Sequence, residues 1–150
     1  MANQATYDDA NLILKLYELR REEKLRDARE WFALEFFPQS MDDFKGVQVP
    51  GSKENTYFRM VTSYWDMAAS FVTSGVLDAQ LFLQSGGEML FIWAKMGDFV
   101  ETFRQNAGSP EYLSNIEKVI GMAPGAADRV AAVKKMIARM RENLTQSAKG

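Results

Sequence analysis

Residues 55–74 read NTYFRMVTSYWDMAASFVTS, and this stretch decides the fold. Tyr57, Phe58, Met60, Val61, Tyr64, Trp65, Met67, Ala68, Phe71 and Val72 recur at helical spacing and cover most of a helix circumference. The polar remainder, Arg59, Ser63, Asp66, Ser70 and Thr73, falls on one narrow stripe. A helix apolar on most sides needs neighbours on most sides, so the stretch predicts the central helix of an all-helical domain. Gly75 follows directly and is the expected terminator, since glycine enters the left-handed region without a Cβ penalty.

Working outward, residues 88–106 predict a second central apolar helix. Gly97 lies inside it, where it would kink the helix or admit a close neighbour. Between the two, a short helix starts at Asp78 and carries Leu81 and Phe82 inward. Upstream, a first helix begins near Thr6 or Asp8, with Leu12, Leu16 and Leu19 on one face. Arg21, Glu22, Glu23 and Lys24 then interrupt, and Leu25, Ala28, Phe32 and Phe36 continue on roughly the opposite face. At about 100° per residue such a change of face predicts a break near residues 21–24. Pro38 closes this region, and residues 39–54, with Gly46, Pro50 and Gly51, read as a loop in which Ser40 caps a short turn over residues 41–44.

Downstream, Ser109-Pro110-Glu111 is a helix start signal, a capping serine followed by proline, for a helix stopping near Gly121. A last helix covers about 126–146. No convincing period-two strand, internal repeat or interdomain linker is visible. The expectation is one all-α domain over residues 1–150, a bundle of about six to seven helices built around 55–74 and 88–106.

The totals exclude several chemistries. With 47% hydrophobic and 25% charged residues in 150, the chain has a globular composition. A net charge of -2 supplies no field for nucleic acid, so no such partner is expected. Apolar runs such as 89–94, bounded by Glu88 and Lys95, are far too short to insert into a membrane. Residues 1–7 lack the features of a signal peptide, which makes a cytoplasmic location the expectation.

The chain contains no histidine and no cysteine. Imidazole-dependent triads, carboxylate–histidine di-iron sites and zinc sites built on these ligands are thereby removed or disfavoured. Asp8-Asp9, Glu22-Glu23 and Asp42-Asp43 are adjacent acidic pairs without the further acid that a magnesium site on a helix uses. Residues 46–53, GVQVPGSK, have glycines at phosphate-loop spacing, but serine and lysine stand in the wrong order and Pro50 removes an amide donor. No cofactor and no metal are expected, and the balance leans against an enzyme.

The candidate site is the polar stripe of the central helix. If it faces inward, Arg59 and Asp66 form an anion or carboxylate pocket walled by Tyr64 or Trp65, with Glu88 and Arg104 near and Trp93 as a further aromatic wall. Such a pocket would lie between helices 55–74 and 88–106. The plainer reading is a solvated stripe with structural ion pairs, which are common outside active sites. Nine methionines, with Trp31, Trp65 and Trp93, suit an adaptable groove, though at helical spacing they more often build the core.

In the last helix Val130, Val133, Ile137, Met140 and Leu144 form a seam beside Arg129, Lys134, Lys135, Arg139 and Arg141. Three readings stay open: packing on its own domain, pairing with a second copy as a short coiled coil, or meeting an acidic partner.

The aromatic helix from Arg59 to Val72, the run Gly75-Val76-Leu77-Asp78-Ala79-Gln80-Leu81-Phe82, and Trp93 with Phe103-Arg104 resemble a family of uncharacterised small bacterial helical proteins. Leu16-Tyr17-Glu18-Leu19-Arg20-Arg21 and Arg29-Glu30-Trp31-Phe32 fit it too, so the resemblance covers about residues 7–120. It implies a helical fold and no established activity, and it assigns no functional residue. The resulting expectation is a non-catalytic domain acting in protein–protein contact or regulation, as a homodimer or with another protein. A small-molecule-binding or sensor domain is the alternative, and an enzyme using carboxylate, tyrosine or arginine groups comes third.

Overall fold

The computed structural model of the chain describes residues 4–150. Residues 1–3, part of the segment read as carrying no signal peptide, lie outside the described residues. Among the described residues are eight α-helices and three short 3-10 turns, with no strand.

Helix α1 (Tyr7–Arg20) opens with a reciprocal cap. The Thr6 hydroxyl accepts from the Asp9 N–H at 3.2 Å, and the Asp9 carboxylate accepts from the Thr6 N–H at 2.6 Å. Helix α2 (Glu23–Leu34) begins at Glu22, whose carboxylate accepts from the Leu25 N–H at 2.9 Å. The break therefore falls at residues 21–22, inside the charged stretch. It frees each half to dock its own face, with Leu16 buried on α1 and Leu25, Ala28 and Phe32 on α2.

Helix α3 (Lys53–Thr73) is the central helix that its sequence predicts. Ser52 caps it by accepting from the Asn55 N–H at 3.0 Å, and the chain turns away at Gly75, whose φ is +83°. It packs on α2 and α7 and buries Phe58, Val61, Tyr64, Trp65, Ala68, Ala69 and Val72. Helix α4 (Ala79–Ser85) is capped by Asp78 and packs on α1. The Asp9 carboxylate accepts from the Asp78 N–H at 2.9 Å, so one carboxylate organises both helix starts.

The second apolar stretch differs from expectation. Instead of one helix over 88–106, α5 (Gly87–Met96) and α6 (Val100–Ala107) are separated by a 3-10 turn at Gly97–Phe99. A Cβ at Gly97 would stand 3.1 Å from the Trp93 indole, so the ring lies where a side chain would otherwise be. The turn re-aims α6, and Phe99 and Phe103 reach Phe44 at ring separations of 5.0 and 4.9 Å. Phe44 belongs to the 39–54 segment, which forms the expected turn at Met41–Phe44 and a second at Gly46–Gln48. This loop is anchored in the core, with Phe44 fully buried and Val47 nearly so.

Helix α7 (Ser114–Met122) starts later than Ser109-Pro110 predicts. Residues 110–113 form a turn that ends with Leu113 in the left-handed region, φ +53°. That costly conformation for a branched residue is held by burial of its side chain. Helix α8 (Ala126–Lys149) packs on α5 and α7. No helix among the described residues is long and apolar enough to cross a membrane.

Candidate functional site

The polar stripe of α3 does not form one pocket with Tyr64, Trp65 and Glu88. It borders an open groove of about 1070 Å³ between α3 and the segment from α6 to the start of α7, with Phe58, Phe103 and Tyr112 among its lining residues. Of the seven residues singled out it holds Arg59 and Asp66, and Phe103 is its one lining residue from the stretch 88–106. Arg59 is exposed. Asp66 is half-buried and accepts from the N–H groups of Asn115 and Ile116 and from Asn115 Nδ2, each at 3.2 Å. It thereby satisfies orphan donors at the start of α7, which explains how that helix begins without a local serine cap. Burial pushes the Tyr112 hydroxyl up to about 12, so it stays protonated.

Arg104 is not among the lining residues of this groove. Its Nε donates to the Tyr112 carbonyl at 3.0 Å and its Nη2 to Glu117 at 3.2 Å, clamping the α6–α7 connection. Trp93 is half-buried over Gly97 and lines neither this groove nor the cavity described next.

Tyr64, Trp65 and Glu88 meet on another side of α3. Trp65 Nε1 donates to Glu88 Oε1 at 2.9 Å. Arg29, from α2, grips the same carboxylate through Nε at 2.9 and 3.0 Å and through Nη2 at 2.7 Å. Its remaining nitrogen, Nη1, donates to the Arg20 carbonyl at 3.0 Å, at the end of α1. The Arg29–Glu88 pair thus joins α1, α2, α3 and α5, and the hydrogen bond to Glu88 raises the Arg29 pKa. The Tyr64 hydroxyl donates to the Leu16 carbonyl, and burial raises its pKa.

Beside this junction α1, α3 and α4 border a half-open cavity of about 300 Å³. Leu16, Trp65 and Phe82 are buried around it, Tyr64 also contributes, and Leu14 and Tyr17 stand exposed at its rim. The Arg20 guanidinium lies 4.8 Å from the Tyr17 ring centre and 5.4 Å from that of Trp65.

Lys95, which bounds the apolar run 89–94 in the sequence, is only 5% exposed. Its Nζ donates to the carbonyls of Phe32 and Phe36, both at 2.5 Å, with Ala33 at 3.4 Å. The rings of Phe37, Phe91 and Phe32 lie 4.0, 4.7 and 5.2 Å from it. Burial pushes the ammonium down to about 7. A legible signal existed: Lys95 follows Ile92 by three residues and Phe91 by four, placing it on the apolar face.

Along α8, Val130 is buried, Val133, Ile137 and Met140 are half-buried, and Leu144 is exposed. Val133, Met136 and Met140 border a space of about 320 Å³ shared with Phe32, Ala33, Phe91 and the Arg29–Glu88 pair.

Residues 5–122 match a family described as Domain of unknown function (DUF4760). The chain belongs to the DUF4760 family. No curated protein and no solved structure matches it. The DUF4760 match holds α1 to α7, including the Arg29–Glu88 junction and the cavity beside it, while α8 lies beyond the matched residues.

Proposed function

We propose that this DUF4760 chain acts without catalysis, through protein contact, and that a second copy of the chain is its partner. The observation that carries this reading is the distal part of α8. Residues 141–149 are helical and all exposed, while the apolar seam continues to Leu144. Short helical segments gain little stability in water without packing, so a partner would profit from this one.

Charge favours a particular arrangement. Helix α8 carries six basic residues against Asp128 and Glu142, a net +4 in a chain whose total is -2, which leaves -6 on the remainder. Two α8 helices laid together would repel, whereas α8 of one copy against the acidic body of the other is attractive.

Light scattering on gel-filtered full-length protein, over a wide concentration range and at low and high salt, tests the reading. A salt-sensitive dimer that the pair Met136→Asp and Leu144→Asp converts to a monomer, with an unchanged circular dichroism spectrum, is the expected result. A native chain that is monomeric at every concentration overturns it.

A further inference from the structure

The cavity between α1, α3 and α4 has a composition that specifies a ligand class. Its interior surfaces come from Ile13, Leu16, Trp65 and Phe82, with Tyr64 spending its hydroxyl on the Leu16 carbonyl. At about 300 Å³ it stands at the lower end of the size range of small-molecule sites. One cation is present among its lining residues, Arg20, and that arginine is half-buried with no carboxylate partner among the described residues.

The placement of Arg20 is constrained without being satisfied. The faces of Tyr17 and Trp65 hold the guanidinium, and a single long bond at 3.4 Å joins its Nη1 to the Ser85 carbonyl. A guanidinium carries five N–H donors in a planar fork, and its favoured counterpart is a carboxylate accepting two of them in parallel. Glu88, the acid of the adjoining junction, is occupied by Arg29 and Trp65. An apolar recess with an unneutralised fork among its walls is complementary to a molecule with an apolar body and a carboxylate head.

We propose that this cavity binds a small amphiphilic monocarboxylate, its apolar tail against Leu16, Trp65 and Phe82 and its carboxylate on Arg20. The cavity lies within residues 5–122 and does not involve α8, so this site is independent of the dimer reading. Tail burial supplies affinity through apolar area, and the fork supplies selection for the acid over an alcohol of equal length.

Titration calorimetry of the full chain with decanoate, decanol and acetate, each below micelle-forming concentration, tests the proposal. Decanoate is expected to bind saturably and at least about tenfold more tightly than decanol, with acetate undetected. Arg20→Gln is expected to lower decanoate affinity about tenfold or more and to leave decanol binding within about twofold. This variant keeps the backbone carbonyl that receives Arg29, and its thermal melt reports whether it folds. Ile13→Phe, which narrows the recess, is expected to weaken decanoate and decanol together. No saturable binding of decanoate, decanol binding as tight as decanoate, or an Arg20→Gln variant that keeps its decanoate affinity would each overturn the proposal.

Discussion

The Lys95 ammonium donates to the Phe32 carbonyl at 2.5 Å, placing a buried cation from α5 at the C-terminal end of α2. Carbonyls freed at a helix end carry the negative pole of the helix dipole, and Lys95 supplies both hydrogen and charge there. Desolvation opposes this arrangement, and the balance is visible as a depressed pKa.

Lys95 makes stability depend on pH in a defined direction. Burial holds its pKa at about 7 in the folded chain, against the ordinary 10.5 of an exposed lysine. Between these values the unfolded chain holds a proton that the folded chain has released, so native stability rises with pH across that window and levels off below it. The steepest gain is about 1.4 kcal/mol per pH unit. Urea melts of native and Lys95→Met protein at pH 6, 8 and 10 are expected to show the native chain gaining on the variant as pH rises. A constant difference would contradict it.

Glu88 and Arg29 are each 26% exposed at the side chain and share one bidentate contact. Glu88→Gln leaves the Arg29 charge half-buried without its counter-ion and is expected to cost about 2 kcal/mol. Replacing both residues by methionine should cost less than the sum of the single replacements, because no uncompensated charge remains. A double-mutant cycle from denaturant melts measures the coupling.

Asp66 and Arg59 both border the α3 groove, and they should separate by stability. Asp66→Ala removes the acceptor for two α7 amides and is expected to cost about 1 kcal/mol. Arg59→Ala, on an exposed face, is expected to change stability by less than about 0.5 kcal/mol. Equal losses in the two variants would show that Arg59 has a structural partner.

Phe44 offers a direct measure of how far its loop belongs to the core. It is fully buried against Phe36, Phe58, Phe99 and Phe103. Phe44→Ala is expected to cost about 3–5 kcal/mol, a core-sized effect from a 3-10 turn, and to lower the melting temperature accordingly. A loss below about 1 kcal/mol would mean that the loop is not anchored as described.

The central helix was legible because its information is local. Ten apolar residues in 55–74 at helical spacing, with Gly75 behind, specify a helix with neighbours on most sides whatever those neighbours are. The break at residues 21–22 was readable for a related reason, since Leu16 and Phe32 need different faces. The division at Gly97 was only half legible: glycine permits a close neighbour, but that Trp93 takes the place follows from how α6 must turn to bring Phe99 and Phe103 to Phe44. The start of α7 differs from the one that Ser109-Pro110 predicts because its cap, Asp66, lies 49 residues upstream of Asn115.

Local spacing by itself determined the helical class and the burial of Trp65, and composition excluded imidazole and thiolate side-chain chemistry, because these rest on residue type and period. The tertiary structure alone decided which charges meet. Arg29 finds Glu88 across 59 residues, Lys95 finds Phe32 across 63, and Arg20 meets no carboxylate among the described residues at the cavity beside Trp65. Such pairings depend on how helices cross, and a buried charge accepts the partner that packing brings to it.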